Sequence, residues 1–235
     1  MVYLTGDTHG QFQRVFDFCE RIGTTTSDVM VILGDAGFNY HLNIRDRRRK
    51  KQASEQSVTW FCIKGNHEKY AGALPFYEER EAFGGTVYVE PDYPTILFAK
   101  DGEVYTFKVD GIDKKVLVIG GAYSVDRYYR VALGLNWFAD EQPSDTTKRI
   151  VEGKIDELDG KVDYVFSHTC PERFEPREWF LGGIDQSTVD KSTEQWLDII
   201  YDKLETDRWY CGHYHGEKLD GNVRFLYEGY VLLGQ

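Results

Sequence analysis

Short apolar runs rich in β-branched and aromatic residues alternate along the chain with stretches whose apolar residues return every three or four positions. The runs predict strands at Val2–Thr5, Val29–Leu33, Thr59–Ile63, Thr86–Glu90, Thr95–Ala99, Val104–Val109, Lys115–Ile119, Tyr164–Ser167, Trp209–Cys211, Val223–Tyr227 and Tyr230–Leu233. The helical spacing predicts helices over Phe12–Ile22, Asp46–Gln56, Ala71–Ala82, Thr146–Leu158 and Thr193–Leu204, with Pro143-Ser144 opening the fourth and Ser192 capping the fifth. Lys108–Lys115, with Asp110, Gly111 and Asp113, reads as a hairpin connection. Strand–helix alternation in the first third, then adjacent strands joined by Gly and Asp turns, gives an α/β class: two stacked mixed β-sheets flanked by helices. No repeat or Pro/Ser-rich linker divides residues 1–235, so a single domain is expected.

Composition supports a packed protein: of 235 residues, 41% are hydrophobic and 15% aromatic. No apolar run reaches the roughly 20 residues that a membrane helix needs. A loaded motif begins at Gly6, which a cleaved leader would remove, so a cytoplasmic protein is expected. Cys19, Cys62, Cys170 and Cys211 show no CxxC pairing and read as reduced thiols. The net charge of −11 disfavours a general nucleic-acid binder. Residues 45–51 alone carry six basic side chains against one acidic, which reads either as a solvated helix face, with Lys51 supported by Glu55, or as a patch that steers an anionic substrate.

Chemistry concentrates at the ends of the predicted strands. Asp7-Thr8-His9, Gly34-Asp35, Gly65-Asn66-His67-Glu68, Ser167-His168 and Gly212-His213-Tyr214-His215 each follow directly on an apolar run. That is the edge where open α/β sheets form their crevices. Five of the six histidines fall in these groups; His41 lies outside and reads as a surface residue. Carboxylate and imidazole donors suit manganese, iron or zinc, and the absence of clustered cysteine argues against a structural thiolate site.

In this order and spacing, GDTHG at 6–10, GDAG at 34–37, GNHE at 65–68, SHTCP at 167–171 and GHYH at 212–215 resemble the calcineurin-like metallophosphoesterase superfamily. The resemblance implies two divalent metal ions, manganese first with iron or zinc as alternatives. Asp7, His9 and His215 would hold one, Asn66, His168 and His213 the other, and Asp35 would bridge them across about 3.5 Å. It further implies attack on phosphorus by a hydroxide between the ions, with His67 stabilising the transition state or protonating the leaving oxygen. The implied fold is an α/β/β/α sandwich.

The departures bear on substrate. Protein phosphatases of this superfamily continue the second motif to an Asp that orients the catalytic histidine and an Arg that grips phosphate; here Phe38 and Asn39 stand in those places. Either Glu68 serves as the orienting carboxylate or no residue does. Asn39, Arg127 and Arg130 are the substrate-binding candidates, the two arginines on a loop at 120–130 whose Tyr128 and Tyr129 offer faces for a base. The compact Gly-His-x-His ending resembles diesterase and nuclease branches. The expected activity is hydrolysis of a phosphodiester or phosphomonoester, a nucleotide or nucleic-acid end, with a phosphoprotein phosphatase or a non-catalytic scaffold as alternatives. No membrane partner is expected.

Overall fold

The computed structural model describes residues 1–235. Its strands are β1 Val2–Thr5, β2 Val29–Ile32, β3 Thr59–Cys62, β4 Glu78–Ala82, β5 Gly85–Val89, β6 Ile96–Ala99, β7 Val104–Val109, β8 Ile112–Ile119, β9 Tyr164–Ser167, β10 Arg208–Cys211, β11 Lys218–Asp220, β12 Val223–Phe225 and β13 Val231–Leu232. The helices are α1 Gln13–Ile22, α2 Ile44–Ser54, α3 Arg127–Ala132, α4 Asp145–Glu157 and α5 Ser192–Lys203. Seven strands form one sheet in the order β13-β1-β2-β3-β6-β5-β4, and six form the other as β11-β12-β10-β9-β8-β7. Each sheet has four parallel strands at its centre (β1, β2, β3, β6 and β8, β9, β10, β12) and antiparallel strands outside them.

The apolar runs are continuous because both faces of the central strands are covered. Val29 and Val31 point between the sheets, while Met30 and Ile32 point to the layer beneath α1 and α2. Phe61 likewise faces inward and Trp60 outward. In the second sheet Tyr210 joins the inter-sheet core, whereas Trp209 and Cys211 pack under α4 and α5. Alternation of period two places one core between the sheets and one on each outer face.

One predicted helix is replaced. Ala71–Ala82 contains only a short 3-10 turn at Ala71–Ala73 and then edge strand β4. Pro75 lacks a backbone donor and disfavours helix in the residue before it. The Phe83-Gly84 turn, with φ of 53° and 77°, closes a two-residue hairpin onto β5. Acidic and basic side chains along β4 protect that exposed edge. The hairpin at Asp110-Gly111 forms, but only those two residues turn, so β8 begins at Ile112. Residues 127–132 are helical and not loop, and β11, a hairpin partner of β12, carries no apolar alternation that announces it.

Ser144 caps α4 by accepting from Thr147 N at 3.1 Å. Ser192, expected as a cap, is instead the first residue of α5; Asp190 accepts its N–H at 2.9 Å. The Lys51–Glu55 pair does not form; the buried Lys50 meets Glu90 across 2.6 Å instead. All four cysteines are buried free thiols. No helix is long and apolar enough to cross a membrane.

Phe38 is fully buried, stacked on Phe12 with centroids 4.4 Å apart and edge-on to Trp60. Phe38→Ala is therefore expected to destabilise the fold by about 3–5 kcal/mol, measured by urea denaturation.

Candidate metal centre

The parallel strands of both sheets end at one edge, and the chemical groups sit immediately beyond them. Asp7 and His9 follow β1, Asp35 follows β2, and Asn66 and His67 follow β3. From the facing sheet, His168 follows β9, and His213 and His215 follow β10. The strand-end loops are stitched together by backbone bonds: His9 N donates to Asp35 O at 2.8 Å, and Gly212 N to His168 O at 2.9 Å. Four of the eight non-glycine residues with positive φ are His9, Asp35, His213 and His215. Such conformations cost about 1–3 kcal/mol each and persist where surrounding bonds over-determine them. Gly34 and Gly65 make the crowding tolerable: a methyl at Gly34 would overlap the His168 ring, and one at Gly65 the Asp35 carboxylate.

The donor atoms converge in groups that could hold metal: Asp7, His9 and His215; Asp7, Asp35 and His168; and His9, Asp35 and His67. Asp7 Oδ1 accepts from His213 N at 2.9 Å, leaving Oδ2 buried without a hydrogen-bond partner and 3.3 Å from His215 Nε2. Asp35 Oδ1 accepts from His67 N at 2.7 Å, while Oδ2 lies 3.9 Å from His9 Nδ1 and 3.7 Å from His168 Nε2. One carboxylate oxygen thus stands between the two sets.

On the second set, His168 Nδ1 lies 2.8 Å from Leu33 O, an acceptor only, so Nδ1 carries the proton and Nε2 presents a lone pair. That lone pair faces Asn66 Oδ1 at 2.7 Å, and His213 Nδ1 faces the same oxygen at 3.1 Å. Asn66 Nδ2 donates to Ser124 Oγ at 2.8 Å, which fixes Oδ1 toward the histidines. His9 Nε2 and His215 Nε2 meet at 3.0 Å. Acceptors gathered on a common point, with an orphaned buried carboxylate oxygen beside them, fit divalent cations of the oxygen- and nitrogen-binding type.

The titration tendencies agree with a ligand set. Burial alone would raise the Asp7 carboxyl, but His168, His215 and His9 hold it below its ordinary range. Burial and His168 push the His213 imidazole down to about 3, keeping its lone pair free. Burial also lowers His67. Asp7, with Oδ2 3.3 Å from Nε2, raises His215.

Two cavities open onto these residues. One of about 460 Å³ is lined by Asp35, Asn66, His67, His213 and His215 at one end and by Tyr123, Trp179, Phe180, Leu181 and Tyr214 farther out. Its outer wall is the segment of short turns around Arg177–Trp179 and Gln186–Thr188, which no motif in the sequence marks. A smaller one, about 200 Å³, is lined by His9, His67, Tyr40, His41 and Arg49. Arg49 packs against Gly10 and donates to Gly37 O at 3.1 Å, bringing one member of the basic segment to the rim. Arg45, Arg47 and Arg48 remain exposed.

The substrate-binding candidates line neither cavity. Asn39 is 1% exposed, its Oδ1 accepting from Tyr77 Oη at 3.0 Å. The Arg127 guanidinium lies 4.0 Å over the Trp137 ring, and Arg130 is buried, donating to Ser124 Oγ and Asn136 O. Glu68, the suggested substitute carboxylate, faces backbone amides, accepting from Gly65 N at 3.4 Å; burial and then Asp35 push it up to about 8. Besides Asp35, a second carboxylate approaches the His67 ring: Asp126, 3.7 Å from Nε2. No sequence signal beyond its place in the 120–130 segment singled it out.

Glu194, buried at the cavity's edge, accepts from Thr169 Oγ1 at 2.8 Å and is pushed up by burial from 4.5 to about 7. The folded state therefore keeps a proton that the unfolded chain releases, and this contribution, full below pH 4.5, is lost as pH rises through 7. The stability advantage over Glu194→Gln should shrink across that window by at most about 1.4 kcal/mol per pH unit, read from urea denaturation at successive pH values.

The model of the family described as calcineurin-like phosphoesterase (Metallophos) matches residues 1–217. The crystal structure of TT1561 of Thermus thermophilus aligns over 96% of this chain and 87% of its own, with a TM-score of 0.54 and 12% identity. A second crystal structure aligns over 96% and 88%, with a TM-score of 0.50 and 13% identity. At these identities the likeness is one of fold. A comparison with curated proteins returns no match.

Proposed function

This chain belongs to the calcineurin-like phosphoesterase family, whose chemistry is metal-dependent phosphoester hydrolysis, and from that premise we propose that it cleaves a small phosphodiester of nucleotide size. The observation that carries the reading is the cavity of about 460 Å³ running from the metal-centre residues to an aromatic wall of Tyr123, Trp179, Phe180 and Tyr214. Its volume lies in the range of small-molecule sites, and its aromatic faces suit a planar ester arm such as a nucleobase.

Asp7, His9 and His215 would hold one ion, and Asn66, His168 and His213 a second, with Asp35 between them. When bound, the ions supply charge against the phosphoryl oxygens and acidify the attacking water. Leu33 O and Ser124 Oγ orient His168 and Asn66 for that task. Arg49, at the rim of the smaller cavity, receives the non-bridging oxygens through charge-assisted hydrogen bonds. Water adds its oxygen to phosphorus and gives up a proton to solvent. The bond from phosphorus to the leaving oxygen breaks with its electron pair on that oxygen. His67, which lines both cavities, hands the oxygen a proton and recovers one from solvent. A phosphoprotein phosphatase is less well supported, because Asn39, in the place of the phosphate-gripping arginine, is buried beneath Tyr77.

Purified protein should bind two manganese ions per chain by elemental analysis and hydrolyse bis(p-nitrophenyl) phosphate faster than phosphoserine peptides. Chelation and Asp35→Ala should each remove the activity; rates that survive both would sink the proposal. Arg49→Ala should raise KM about tenfold or more, with a smaller effect on kcat, since a hydrogen bond to a charged group contributes about 1.5–3 kcal/mol. Initial-rate kinetics over a range of diester concentrations checks this.

A further inference from the structure

The loop between β8 and α3 brings a carboxylate to the site that the reaction above leaves without a task. Asp126 Oδ1 lies 3.7 Å from His67 Nε2, and both residues line the larger cavity. This oxygen is buried and has no hydrogen-bond partner. A buried acceptor of that kind calls for an explanation, because leaving one unpaired is costly. Behind it stands Arg130, 2% exposed, with Nη1 3.7 Å from the same oxygen. Arg130 is itself anchored by donation to Ser124 Oγ and Asn136 O.

The loop is also fastened to the residue that precedes His67. Ser124 Oγ takes the hydrogen bond from Asn66 Nδ2, and Ser124 N donates to Glu141 Oε1 at 3.2 Å. Asp126 is thus held by a buried arginine on one side and aimed at the imidazole on the other. The position where a phosphatase of this family keeps its orienting carboxylate holds Phe38, packed on Phe12 and Trp60. No carboxylate can reach His67 from there.

We propose that Asp126 is the positioning residue of His67: it binds one ring nitrogen so that the other faces the departing ester oxygen. The proposal rests on the reading of His67 as the proton donor. A separation of 3.7 Å closes to a hydrogen bond with a small side-chain rotation, and such contacts commonly tighten when substrate binds.

The test uses the manganese-loaded protein and two esters of one phosphodiester, with p-nitrophenol and phenol as leaving groups. The phenolate ion is the poorer leaving group and depends more on the proton. Asp126→Asn should lower kcat for the phenyl ester about 10²-fold, and for the p-nitrophenyl ester only a few-fold. KM, bound manganese and Tm should stay at wild-type values, Asp126→Glu should recover part of the loss, and adding Asp126→Asn to His67→Ala should cost nothing more. Equal losses on both esters, an additive double variant, or loss of a manganese equivalent would overturn the proposal. The two readings separate on His67→Ala. If that variant loses the phenyl ester selectively and Asp126→Asn does not, only the role of Asp126 fails. If His67→Ala shows no leaving-group dependence, the proton-donor reading fails and this proposal with it.

Discussion

Asp7 and Asp35 are carboxylates with 2% and 1% exposure, set where the two sheets meet. Removing such charges from water costs several kcal/mol per ion unless they are paired and hydrogen-bonded. Part of that cost is offset by backbone donors: His213 N reaches Asp7 and His67 N reaches Asp35. His9, His168 and His215 stand within 4 Å of one carboxylate or the other and join them in a donor set that could hold a cation. The architecture serves this pairing. Strands β1, β2 and β3 of one sheet and β9 and β10 of the other must end at the same edge for the carboxylates and imidazoles to meet.

That requirement explains the unusual backbone beyond the strands. Half of the positive-φ residues outside glycine lie in the site. An extended continuation would carry His9, Asp35, His213 and His215 onward with their strands; a left-handed residue turns the chain out of that line. The cross-loop bonds, such as Gly10 N to Ala36 O and Gly121 N to Lys64 O at 2.8 Å each, hold these turns in place. Local strain is thereby set against a rigid two-sheet core buried on both faces.

Charge is distributed with the same economy. On a chain of net charge −11, α2 sends its basic residues in three directions. Lys50 goes into the fold to meet Glu90, with the Phe76 and Tyr77 ring centroids each 5.0 Å from its ammonium; Arg49 goes to the site; Arg45, Arg47, Arg48 and Lys51 go to solvent. Only Arg49 among them lines a cavity at the candidate metal centre. In the reading proposed above, Asp126 and Arg49, drawn from other parts of the chain, take the places of the Asp–Arg pair absent at Phe38 and Asn39.

By itself the sequence determined the central strands and the residues at their ends. Both follow from local physics: a short continuous apolar run between turn residues is long enough for a buried strand and too short for a helix, and donor chemistry is written in residue type. It did not determine the region around Ala71–Ala82, where an apolar pattern of helical spacing was overruled by Pro75 and by pairing with β5. Nor did it show that Asn39, Arg127 and Arg130 turn away from the cavities while Arg49 and Asp126 turn toward them. Those outcomes depend on how α2 lies across the first sheet and how the β8–α3 loop docks on the turn after β3. The segments are far apart in the chain, and only the stacking of two sheets about a shared core brings their side chains to one edge.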